Sequence, residues 1–251
     1  MPMQNSPPTL CAMVLSLVLA GIAAASPARA MSVSPIHIEM TSVGQTGHSQ
    51  VIVTNTSNTP LPIDTAMKRL ELDENGNTKT VPAGDEFLVF PPQAMIPPGG
   101  TQVLRIQWVG EPNLAQSQSY MLAVTQIPVK LPKTQSGVQV VMSFGIIVNV
   151  APPQGQSNLK LVSTGIAIDK AGKRHPTITV EDSSNVHAVL QSAVLHLSAG
   201  AWSRTYQPGE IAQSIGIGLV QPGKRRKFVL PDVLPADAGT VQASLEVPRG
   251  Q

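Results

Sequence analysis

The chain has 251 residues, with 17 Lys and Arg against 15 Asp and Glu, and a formal net charge of +2. A charge this close to zero argues against broad electrostatic binding of nucleic acid. Only 3% of the residues are aromatic, while 23 are proline and 20 glycine, a make-up that suits many short strands joined by turns. No amphipathic helix of ordinary length is legible.

Residues 10–25 form an apolar run interrupted only by Cys11, Ser16 and Gly21, and Ala28-Arg29-Ala30 follows as an A-x-A cleavage signature. Sixteen residues is short for a membrane span, so residues 1–30 read as a signal peptide that is removed on export. Taking away thirty of the 251 residues leaves 221, without the one cysteine and with no second run long enough to cross a bilayer. The expectation is an exported protein with no disulfide of its own and no stable membrane insertion.

In chain order, 31–40 reads as a first strand and 48–55, which contains Val51 and Val53, as a second. Asn55-Thr56-Ser57 also matches a glycosylation sequon, a weak three-residue signal. Segment 63–72 is a strand closed by a hairpin turn at Glu74-Asn75-Gly76-Asn77. Segment 87–90 is short and apolar. Pro97-Pro98-Gly99-Gly100 turns the chain into 101–109, with Val103, Ile106 and Trp108 as candidate core residues. Segment 113–119 reads as a loop and 120–127 as a strand. Seven apolar side chains then occupy every second position from 138 to 150: Val138, Val140, Met142, Phe144, Ile146, Val148 and Val150. Period two over thirteen residues signals a strand, and one long enough to offer part of an apolar row to something else.

Residues 151–156 are a Pro/Gly-rich break, read as a linker between a first module at 31–150 and a second at 157–251. The second module carries strands at 159–168, 177–181, 189–197, 204–206, 226–230 and 241–247. Roughly seven strands in about 120 residues predict a β-sandwich for the first module, the second reads as another β-sandwich or a barrel, and the fold class is all-β. Catalysis finds little support. The five histidines show no H-x-x-x-H spacing, and there is no G-x-S-x-G elbow or glycine-rich phosphate loop. The reading is therefore a protein that is not an enzyme, with no metal and no cofactor. The cluster Lys224-Arg225-Arg226-Lys227 follows a Pro-Gly turn and reads as a solvated turn.

Several stretches taken in order carry a resemblance. Segment 87–106 sets a short strand, Pro91-Pro92, a Pro-Gly turn and a strand bearing Arg105. Segment 119–128 ends in Ile127-Pro128, and 138–152 ends in Pro152. Segments 185–190 and 219–228 follow in the second module. This order resembles the periplasmic chaperones of pilus assembly, the chaperone–usher family. The resemblance implies two immunoglobulin-like sandwiches at an angle. It also implies a function in the periplasm: binding exported pilin or fimbrial subunits by donor-strand complementation and delivering them to an outer-membrane usher. Segment 138–150 is then the donor strand, with Val138, Val140, Met142 and Phe144 as the subunit-binding row. A dimer in which free copies cap each other's strand stays open. Many members hold the client's terminal carboxylate with an arginine and a lysine. Here those positions fall on His37 and on Ile147 or Gly145: either the chain belongs to a divergent branch, such as the archaic-type members, or another group, such as backbone amides, holds the carboxylate, with His37 as a weak anchor. The alternatives are a secreted structural or adhesive β-sandwich protein and a carbohydrate-binding module.

Overall fold

The computed structural model describes residues 31–128 and 140–248. The first module has ten strands: β1 Met31–Ser34, β2 His37–Thr41, β3 His48–Asn55, β4 Leu61–Leu72, β5 Thr78–Pro82, β6 Phe87–Phe90, β7 Gln93–Ile96, β8 Thr101–Trp108, β9 Gln118–Gln126 and β10 Ser143–Ala151. One sheet runs β1-β3-β8-β6. The other runs β2-β10-β9-β4-β5, with β7 also paired to β4. Between them lies one apolar core that includes Val51, Val53, Leu104, Ile106, Tyr120, Leu122, Ile146, Val148 and Val150.

The segment read as one strand at 31–40 is two. Proline has no backbone N–H and its ring restricts the residue before it, so the ladder breaks at Pro35. β1 pairs antiparallel with β3 in one sheet, and β2 crosses to the other and pairs parallel with β10. In β8 the inward set is Leu104, Ile106 and Trp108. Val103 is 40% exposed and stands opposite Ile52, also 40% exposed, on the outer face. Strict period two forbids Val103 from sharing a face with Ile106, which corrects that core assignment.

The second module is built from β11 Leu159–Ile168, β12 Arg174–Asp182, β13 Ala188–Val189, β14 Val194–Ala199, β15 Trp202–Tyr206, a single-turn helix α1 Glu210–Ile215, β16 Leu219–Val220, β17 Arg225–Val229 and β18 Gln242–Glu246. Its sheets are β11-β12-β17 and β15-β14-β18, with the small ribbon β13-β16. They enclose a separate core that includes Ile178, Val180, Leu195, Tyr206, Phe228 and Leu230. The segment expected as one strand at 189–197 is interrupted by a 3-10 turn at Leu190–Ser192. The edge strand β11 carries a register shift between Leu161 and Ser163, a bulge of the kind that blunts an exposed edge.

Asn55 settles the sequon. It is fully buried, and its amide nitrogen lies 2.8 Å from the Thr59 carbonyl, 3.0 Å from that of Ile96 and 3.1 Å from that of Pro97. Its Oδ1 accepts from the Ser57 N–H at 3.0 Å. A side chain so enclosed fixes the turn after β3 and is closed to glycosylation in the folded chain. Replacing Asn55 by Ala leaves buried carbonyls unpaired, and we expect a loss of about 1–3 kcal/mol in urea denaturation. Asn58→Ala in the same turn, where the side chain is exposed, should stay within about 0.5 kcal/mol of wild type.

Candidate functional site

β10 has unequal neighbours. On one side β9 pairs with it from Ser143 to Val150. On the other, β2 covers only Ile147 to Ala151, because the chain leaves for the opposite sheet at Pro35. The Ile147 N–H donates to the Ile36 carbonyl at 3.0 Å, and the Met142 carbonyl accepts from the Gln126 N–H at 2.9 Å. Backbone groups along a strand alternate sides, so those of odd-numbered residues point toward β2 and those of even-numbered residues toward β9. At Ser143 and Gly145 the N–H and C=O groups therefore point along an edge on which no described strand lies.

The apolar row changes character along its length. Ile146, Val148 and Val150 are 0% exposed. Phe144 and Met142 are partly buried at the rim of the first module's core, and Val140 stands 72% exposed ahead of the strand. Val138 lies outside the described residues. The strand expected over 138–150 is seen over 143–151, and its inner half belongs to the module's own core. Ile36, 64% exposed, sits where β2 begins and extends the apolar surface beside the open edge.

His37 stands opposite Ile147 in the parallel register, so the two positions singled out for the family's cationic pair do face each other. They form no such pair here. The His37 Nε2 lies 2.5 Å from Glu39 Oε1. The Asn149 amide nitrogen lies 3.0 Å from the same carboxylate oxygen and 3.2 Å from His37 Nε2. The other oxygen, Oε2, lies 2.6 Å from the Nε2 of His187, which comes from the second module. Burial opposes ionisation of Glu39, but it is outweighed by hydrogen bonds from His187 and His37, the charge interaction with His187 and the Asn149 amide. The net effect brings the carboxyl down from 4.5 to about 2. His37 is thus already engaged by a carboxylate, and a second one arriving there would meet the Glu39 charge.

Glu39, Asn149 and His187 escaped sequence reasoning. They come from β2, β10 and the segment before β13, and no spacing links them. The basic cluster is largely engaged: Arg225 pairs with Glu181 at 2.8 Å, and Arg226 stacks on Phe228 while donating to the Leu219 carbonyl. Among the described residues no group of three or more His, Cys, Asp or Glu is placed to hold a metal ion, and no helix is long and apolar enough to cross a membrane.

Residues 31–155 match the family of pili and flagellar-assembly chaperones, over the domain described as the PapD N-terminal domain. A solved structure of Salmonella enterica SafA pilin in complex with the SafB chaperone contains a chain similar at TM-score 0.55 and 15% identity, over 89% of this chain and 99% of that one. The YadV chaperone is similar at TM-score 0.53 and 15% identity, over 85% and 90%. The class 5 fimbriae chaperone CfaA is similar at 0.51 and 13%, over 87% and 99%. At these identities the likeness is one of fold. No curated protein matches the chain in sequence.

The lowered Glu39 pKa has a signed consequence for stability. The unfolded chain takes up the proton first, near 4.5, so the ionised carboxylate's contribution is complete above that pH and is lost as pH falls toward about 2. Wild type should therefore be more stable than Glu39→Gln at pH 7. The gap should close progressively between about 4.5 and 2 when both are followed by urea denaturation across that range.

Proposed function

The chain belongs to the pili and flagellar-assembly chaperones, and from that premise we propose that it captures pilin subunits by lending them the outer half of β10. The observation that carries this reading is the open edge at Ser143 and Gly145, in line with the exposed Val140 and the half-buried Met142 and Phe144. An unpaired edge next to apolar side chains is what a strand of another protein adds to. A client whose sandwich lacks a strand has the complementary defect: unpaired backbone groups beside an apolar groove.

The ladder and the row divide the work. Backbone pairing with Ser143 and Gly145 recognises any extended segment. Val138, Val140, Met142 and Phe144 supply alternate side chains to the groove and give selectivity. Burying a side chain of valine or methionine size stabilises a complex by about 1.5–3 kcal/mol before ordering costs. Val140 contributes most fully, being exposed beforehand. Met142 and Phe144 contribute less, since they already rest on the module's own core. Such a contact holds a subunit and still yields to a better-fitting strand at an outer-membrane usher. The first module, 31–150, carries this surface, and the second, 157–251, holds the closed end of the strand pair through the contact of His187 with Glu39. The protein acts in the periplasm after its leader is removed, by binding and not by catalysis.

Co-expression with a candidate pilin subunit, followed by size-exclusion chromatography, tests the reading. The wild type should elute as a one-to-one complex. Val140→Asp puts a charge where the groove closes, and Ser143→Pro removes one edge donor without touching the β9 ladder. Each should weaken capture at least tenfold, while Val162→Asp, on the exposed edge of the second module, should leave it unchanged. Capture that survives both of the first two changes would remove the proposal.

A further inference from the structure

The two modules touch through two sets of contacts with different chemistry. The first set is made by the hairpin of β4 and β5. The Gln221 amide bridges its backbone, with Oε1 accepting from the Leu72 N–H at 2.9 Å and Nε2 donating to the Leu70 carbonyl at 2.8 Å. Next to it the Lys227 N–H donates to the Glu74 carbonyl at 2.7 Å. The Arg226 guanidinium fits against Gly76, where an added Cβ would stand 2.8 Å from its Nη2 and where φ is +85°. These contacts read backbone, and they extend β17 onto the tip of the hairpin.

The second set lies along the ends of β2, β9 and β10. The Ser117 N–H donates to the Asn185 carbonyl at 2.8 Å, and the His187 N–H to Ser117 Oγ at 3.1 Å. The His187 ring is held by Glu39. Glu39, Asn149 and Ser119 are successive partners across three strands, so their side chains form one row on the outer face of the sheet, away from the core. The row is covered at Asn149, 0% exposed, and Ser119, 3%, with His187 at 8%, while the Glu39 side chain at its end is 45% exposed. Yet Asn149 Oδ1, Ser119 Oγ and His187 Nδ1 are buried with no hydrogen-bond partner among the described protein groups. Half of the six such side-chain atoms among the described residues sit at this one seam.

Buried polar atoms without partners favour any state in which they reach water. A seam that holds three of them is poised to open, and it stays shut through Glu39, whose carboxylate grips His187 from the far module. We infer that the modules are joined by a hinge: the Glu39–His187 clamp and the Ser117 contacts form the side that opens, and the hairpin contacts at Leu72, Glu74, Gln221 and Lys227 form the pivot. This inference concerns the joint itself and stands whether or not the β10 edge receives a pilin.

Residue-resolved amide hydrogen exchange on the whole chain tests it, because each side of the joint has its own reporter amides. Ser117 and His187 report the opening side, Leu72 and Lys227 the pivot, and Val148 in the first core reports integrity of the fold. In Glu39→Ala, exchange at Ser117 and His187 should rise at least tenfold, with Leu72, Lys227 and Val148 changing less than threefold. The double change Ser119→Ala with Asn149→Leu removes two of the unpartnered atoms and should slow exchange at Ser117 and His187. If Glu39→Ala leaves Ser117 and His187 as slow as in wild type, or if the pivot amides accelerate together with them, there is no hinge. Faster seam exchange in the double variant would equally overturn the account, since the polar row would then be holding the modules together.

Discussion

The unequal coverage of β10 is the constraint on which the first module's surface depends. Eight of the nine residues of the strand are paired along β9, but the parallel partner on the other side reaches only five of them. The cause is local. Pro35 interrupts the first strand, and the chain divides its length between two sheets, closing the sandwich at one end of β10 and leaving the other end open. The same strand is therefore structural along Ile146, Val148 and Val150 and available along Ser143 and Gly145. The hydrophobic row that anchors it also aims it.

Chemistry at the closed end differs from that at the open end. Where β2 meets β10, the facing positions carry His37 and Ile147, and the charge present is the Glu39 carboxylate. That carboxylate has three donors around it, two of them imidazoles from different modules, and this keeps it ionised far below its ordinary range. The closed end is thus set up to bind the chain's own second module.

The second module's role follows from the same row. Its β13-β16 ribbon brings His187 and Gln221 close together, since Ala188 pairs with Val220. From this one end of the ribbon His187 meets β2 and the start of β9, and Gln221 meets the β4-β5 hairpin. Polar contacts dominate both meetings, as is usual where two folded units meet and are free to shift.

Much of the architecture was legible beforehand. Period two at Val51 and Val53 and from Ile146 to Val150 marks strands with one apolar face, and each of these side chains is fully buried. The Pro-Gly turns at 97–100 and 221–224 mark where strands begin, because their glycines take up positive φ, at Gly99 and Gly223. Less was legible where period two gives two readings, as at Val103, and where a break is short, as at Pro35 and at Leu190–Ser192. Alternation states that a strand has an apolar face, not which neighbour covers it. The candidate site was legible by half: Val140, Met142 and Phe144 from their spacing, but not the place where the row passes from core to surface.

What the sequence determined by itself is the set of strands and the face each one buries, since side-chain alternation is a property of the backbone and needs no partner. The coverage of β10 and the joint between the modules belong to the tertiary structure alone. Each depends on groups more than a hundred residues apart, such as Glu39 and His187, meeting within hydrogen-bond distance. Local propensity carries no information about such meetings. They are set by where two separate cores oblige the chain to pass.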